Sequence, residues 1–66
     1  MKVTINGERH EIPDGLNVVA LLEHLGMRAE RVAIERNFDI LPRAEWPRVQ
    51  VASNDNFEIV HFVGGG

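Results

Sequence analysis

Asn17-Val18-Val19-Ala20-Leu21-Leu22-Glu23-His24-Leu25-Gly26 is the stretch of this chain that reads as a helix. Val18, Leu21, Leu22 and Leu25 fall at i, i+3, i+4 and i+7, so they form one apolar stripe, with Glu23 and His24 away from it. Asn17 is placed to cap the first turn. Gly26 is placed to stop the last one in the left-handed conformation. A single amphipathic stripe needs a single apolar surface to bury, and the rest of the chain must supply it.

On the N-terminal side, Val3 and Ile5 alternate with Lys2, Thr4 and Asn6, the period of a half-buried strand. Asn6-Gly7 is a strong hairpin signal because both residues tolerate positive φ. A return strand runs from about Glu8 to Ile12, and Pro13-Asp14-Gly15 turns the chain. On the C-terminal side, Val32, Ile34 and Arg36 share one face of a third strand. Asn37-Phe38-Asp39 reads as a turn, and Ile40-Leu41 as a short strand stopped by Pro42. Pro42 to Trp46 suits one helical turn with proline at its start. Val49 and Val51 suggest a further edge segment. Ser53-Asn54-Asp55-Asn56 is a polar turn before a last strand, Phe57 to Val63.

The order is strand, strand, helix, strand, short strand, strand. With the first and last strands side by side as a parallel centre, this is an α+β, β-grasp layout: a mixed sheet with one main helix packed on one face. Residues 1–63 are expected to form one domain, and residues 64–66 a flexible glycine tail. Phe57 and Ile59 should lie beneath the helix. Val60 and Phe62 should point to the open face beside Glu58. Apolar residues on an uncovered sheet face suggest a docking surface.

Composition narrows the function. The chain has 66 residues, no cysteine and a formal charge of −3. A domain of this size buries only roughly 60% of its unfolded surface, so one compact core must carry the stability. No disulfide or cysteine-based metal site is available. The acidic balance argues against nucleic acid and is compatible with a basic patch on a protein partner. No apolar run approaches membrane-spanning length, and the chain enters a strand pattern at once, without a signal-peptide pattern.

His10, His24 and His61 lack metal-ligand spacing, so no metal site is expected. The glutamates are scattered and read as solvated charge, and no carboxylate pair suggests acid–base catalysis. Ser53 lies in a turn with no histidine near it in sequence. Trp46 reads as a core or lid residue. The remaining chemical feature is the end, Val63-Gly64-Gly65-Gly66. A carboxylate on a stalk without side chains can thread a narrow channel into another protein, because no Cβ blocks it.

The whole chain resembles the ThiS family of sulfur carriers, within the ThiS/MoaD group of ubiquitin-like proteins. The resemblance is carried by Val3-Thr4-Ile5-Asn6-Gly7, Pro13-Asp14-Gly15, Val18-Val19-Ala20-Leu21-Leu22 and Val32-Ala33-Ile34-Glu35. It continues through Asn37, Leu41-Pro42-Arg43 with Trp46, and Glu58-Ile59-Val60-His61 into the glycine end. The Pro-Arg-x-x-Trp element with that end is the specific part. Two positions depart from the family pattern. Phe38 stands where glycine is usual, which suggests a different turn type. Asn54-Asp55-Asn56 replaces an Asp-Gly-Asp turn, a mild change because Asn tolerates positive φ.

The resemblance implies a covalent protein substrate, not an enzyme. The Gly66 carboxylate would be adenylated by a ThiF-like adenylyltransferase using ATP and Mg²⁺, then converted by a sulfur donor protein to a thiocarboxylate. That sulfur would pass to thiazole formation by a ThiG-like thiazole synthase in thiamine biosynthesis. Gly64 and Gly65 would keep the arm slim. Val60, Phe62 and Val63 would form the docking side. No cofactor would be bound by the chain itself. A cytoplasmic monomer without nucleic-acid or membrane partners is expected.

Three alternatives remain open at this level. One is the small subunit of molybdopterin synthase, although His61-Phe62-Val63 replaces the Pro-rich approach usual there. Another is a ubiquitin-like modifier joined to lysines. The third, of another class, is a TGS-type β-grasp binding module with no reactive terminus.

Overall fold

The computed structural model describes residues 1–62. Among them, β1 (Lys2–Ile5), β2 (Glu8–Glu11), β3 (Val32–Arg36), β4 (Asp39–Ile40) and β5 (Asn56–His61) form one sheet in the order β2-β1-β5-β3-β4. The helix α1 spans Val18–His24, and single 3₁₀ turns occupy Ala29–Arg31 and Arg43–Glu45. β1 and β5 are parallel, with Thr4 opposite Asn56 and Ile5 opposite Phe57. The other neighbours are antiparallel. The parallel centre and the mixed sheet with one main helix agree with the order of elements in the sequence.

Local chemistry explains the element ends. Asn6 and Gly7 both take positive φ, 50° and 83°, which closes the β1–β2 hairpin in two residues. The Asn17 side chain accepts a hydrogen bond from the Ala20 amide at 2.7 Å, capping α1. Gly26 takes φ 73°, and the amide of Met27 donates back to the Leu22 carbonyl at 2.9 Å.

The helix supplies Val18, Leu21 and Leu22 to the core. The sheet supplies Val3, Ile5, Val32, Ile34, Phe57 and Ile59, all buried. Leu25, the fourth member of the expected stripe, is only half-buried at the rim, because it is already the C-cap where the chain turns off the helix.

Seven helical residues span only about 10 Å, too little to cover the sheet. The segment after β4 completes the cover with Trp46 and Val51, both buried. Trp46 donates its indole N–H to the Leu41 carbonyl at 3.0 Å, and the Arg43 guanidinium lies 4.5 Å above its ring. Arg43 also donates to the carbonyls of Val32, at 2.8 Å, and Ala29.

Some sequence expectations are corrected here. Val49 and Val51 do not belong to an edge strand of the sheet; one bridge joins Gln50 to Asn17, and Val18 and Val51 donate to the carbonyls of Val49 and Leu16. That segment turns its apolar side chains into the core beside α1. Pro42 is the extended cap of the 3₁₀ turn and not its first helical residue. β5 ends at His61, before Val63, although the Phe62 amide still donates to the Arg31 carbonyl at 2.8 Å. Phe38 does not impose a different turn type. Asn37 and Phe38 take φ 51° and 72°, so the β3–β4 connection is a two-residue hairpin turn with both φ positive.

Candidate functional site

The face of the sheet turned away from α1 is built by the alternate residues of the same strands. On β5, Glu58 and Val60 point there, and Phe62 continues the row. Val60 is 61% exposed and Phe62 53%. β3 contributes Ala33, opposite Val60, and Glu35, opposite Glu58. β4 contributes Ile40, opposite Glu35 and 80% exposed. Together Ala33, Ile34, Glu35, Ile40, Glu58 and Val60 line a shallow cavity of about 390 Å³.

Two sets of hydrogen bonds hold this face in place. The Asn6 side chain behaves like an extra strand residue: it donates to the Ile59 carbonyl at 3.1 Å and accepts from the Ile59 amide at 2.8 Å. It therefore extends the hold of β1 on β5 towards Val60 and Phe62. At the other end, Asp55 is buried and joins two turns. Its Oδ2 accepts from Arg36 Nε at 3.0 Å and from the Ala52 amide at 2.8 Å. Its Oδ1 accepts from the Asn37 side chain at 3.2 Å. Asn37 in turn accepts from the Asn56 amide at 2.9 Å. The left-handed Asn37-Phe38 turn is thus fastened to β5, and Phe38 stands 80% exposed at its tip.

The structure brings Val60 and Phe62 to the open face, as the alternation along β5 requires. Val63, Gly64, Gly65 and Gly66, the remaining residues singled out in the sequence, lie outside the described residues. Sequence reasoning missed four members of this region. Phe38 and Ile40 read in the sequence as turn and short strand, with no signal of their exposure. In the sequence Asp55 reads only as part of a polar turn. Glu35 was read as scattered charge. The Asp-x₀-Asn spacing before the last strand carried no signal that its carboxylate would be buried. The pairing of Glu35 with Glu58 depends on a register that joins distant segments. Among the described residues no group of three or more His, Asp or Glu side chains could hold a metal. No helix there is long and apolar enough to cross a membrane.

A mixed five-stranded sheet that grips one helix and leaves its second face bare places the chain among the ubiquitin-like β-grasp proteins. It matches the crystal structure of the thiamine biosynthesis protein ThiS from Geobacter metallireducens with a TM-score of 0.85 and 35% identity, over 100% of both chains. It is 39% identical over 46 residues to the sulfur carrier protein ThiS of Bacillus subtilis, covering 70% of each. It is 44% identical over all 66 residues to part of a thiazole synthase of Paramagnetospirillum magneticum. The chain spans 20% of that synthase's length. The ThiS family model matches residues 3–66. The chain belongs to the ThiS family.

Proposed function

We propose that this protein is a sulfur carrier of thiamine biosynthesis, acting as a covalent substrate and not as a catalyst. The observation that carries this reading is the family match, which runs from β1 through the glycine end at residue 66. The chemistry requires Gly66 to present a free α-carboxylate. An ionised carboxylate is a poor electrophile, and its reference pKa lies near 3.3–3.7. Activation on a ThiF-like adenylyltransferase would let that carboxylate attack the α-phosphate of Mg²⁺-bound ATP, expelling pyrophosphate and forming an acyl adenylate. A sulfide-equivalent from a donor protein would then displace AMP and leave a thiocarboxylate on Gly66. Its sulfur is the nucleophile for thiazole formation. The likeness to part of a chain named thiazole synthase supports a ThiG-like enzyme as the acceptor.

In this reading Val60, Phe62 and Val63 dock the carrier while Gly64 and Gly65 pass into the partner's channel. The exposure of Val60 and Phe62 beside the exit of β5 supports that assignment. A reducing cytoplasm suits a thiocarboxylate. ATP and Mg²⁺ belong to the activating partner.

The test is ATP–pyrophosphate exchange with the adenylyltransferase, followed by intact-mass analysis after a sulfur donor is supplied. A sulfur-for-oxygen exchange on Gly66 is expected. Deleting Gly66 would retract the carboxylate by about 3.3–3.6 Å, comparable to the reacting distance itself, so turnover should vanish. Gly65→Val should slow adenylation by bulk alone. A Gly66-deleted chain that still supports exchange and gains sulfur would refute the terminal-carboxylate mechanism. Attachment to lysines of other proteins, without sulfur gain, would replace sulfur transfer with a modifier role.

A further inference from the structure

Glu35 and Glu58 stand directly opposite each other on β3 and β5. Like charges facing across a strand pair are destabilising. Among the described residues, no cationic group lies within salt-bridge distance of either carboxylate; the ion pairs present involve Glu8, Glu11, Asp14, Glu30 and Asp55. Both residues line the shallow cavity of the open face, together with Ile40 and Val60. Ile40 and Val60 are exposed, as are Phe38 at the hairpin tip and Phe62 beyond β5.

The hairpin that carries Ile40 is held at a cost. Phe38 sits at φ 72° without being glycine, and Asp55 and Asn37 fasten that turn to β5. A left-handed residue with a side chain is strained, because its Cβ crowds the following carbonyl oxygen. The free protein therefore keeps two uncompensated features on one face, an acidic pair and an exposed apolar rim.

We propose that this cavity receives an arginine side chain of the partner protein that docks on the open face. Its guanidinium would lie between Glu35 and Glu58, and its aliphatic stem would run along Ile40 and Val60. Arginine fits because its planar fork can serve two carboxylates at once, while its stem covers apolar surface. The charge complementarity is specific: a neutral or acidic partner residue would leave the two glutamates desolvated and unpaired. The inference rests on the docking role of Val60 and Phe62 proposed above. It adds β3 and β4 to that surface and states the chemistry of what sits there.

The test is calorimetric titration of the full chain against its purified adenylyltransferase at low and high salt. The double variant Glu35→Gln, Glu58→Gln keeps the shape and removes the charge. It should bind on the order of 10- to 100-fold more weakly and lose most of the salt dependence. Its thermal midpoint should equal or exceed that of the parent, since the like-charge contact is gone. Phe62→Asp serves as the separate probe of docking. If Phe62→Asp abolishes binding while the double variant keeps the parent's affinity and salt dependence, the arginine site is wrong and the docking face stands. If both variants bind like the parent, the docking face itself is wrong and the arginine site falls with it. Tighter binding by the double variant would also overturn the site, because a partner cation would then be absent.

Discussion

The two faces of the sheet are made from neighbouring residues of the same strands, yet they differ in every physical respect. On β5, Phe57 and Ile59 are buried under α1 and Trp46, while Glu58, Val60 and Phe62 are exposed. The covered face holds the apolar core that a chain of this size cannot do without. The open face carries an acidic pair, exposed aliphatic and aromatic side chains and a strained turn. Features that lower stability collect on the side that contributes least to it. Under the carrier role proposed above, such a division gives one face to stay folded and one to be read.

The sharpest way to break this contrast is to weaken the covered face. Phe57→Ala removes the largest fully buried side chain and should cost about 3–5 kcal/mol in chemical denaturation. Leu22→Ala should cost about 2–5 kcal/mol by the same measurement. Either loss is a large share of the stability of a small domain. If either variant unfolds at the parent's midpoint, the assignment of the core face is wrong.

Asp55 tests the seam between the faces. Asp55→Ala strips partners from Arg36, Asn37 and the Ala52 amide, and should destabilise by about 2–3 kcal/mol. Asp55→Asn should recover part of that loss, since it retains an acceptor. Equal stability of all three proteins would mean that the Asp55 network contributes nothing.

Phe38→Gly should act in the opposite direction. It removes a left-handed strain without touching the core, and stability should rise by about 1 kcal/mol. For a domain of this size that raises the thermal midpoint by roughly 4–8 °C. A lower midpoint would show that the exposed ring stabilises the hairpin after all. Phe62→Asp should have the smallest effect on folding, within about 0.5 kcal/mol, because the residue lies outside the core. Its effect should be confined to affinity for the adenylyltransferase proposed as partner. A folding loss as large as that of Leu22→Ala would erase the distinction between the faces.

Much of the architecture was legible because its signals are local. The stripe from Val18 to Leu22, the Asn17 cap and the Asn6-Gly7 turn each need only a few adjacent residues. The alternation along β5 likewise assigns Val60 and Phe62 to the open face without further information. Leu25 shows the limit: periodicity extended the stripe, but the cap geometry placed that residue at the rim. Val51 shows another, since its alternation suggested a strand, while the shortness of α1 left a gap that the segment fills with side chains instead.

The sequence by itself determined the alternation that separates a covered from an open face and the hairpin and helix ends. Those depend on side-chain period and on the backbone freedom of single residues, and both act within a turn or two. Only the tertiary structure decided that Asp55 is buried against Arg36 and Asn37, that Phe38 keeps a left-handed turn, and that Glu35 meets Glu58 beside Ile40. The Asp55 network, which also fastens the Phe38 turn, and the meeting of Glu35 with Glu58 depend on strand register between segments far apart in the chain, and register is settled by the packing of the whole core.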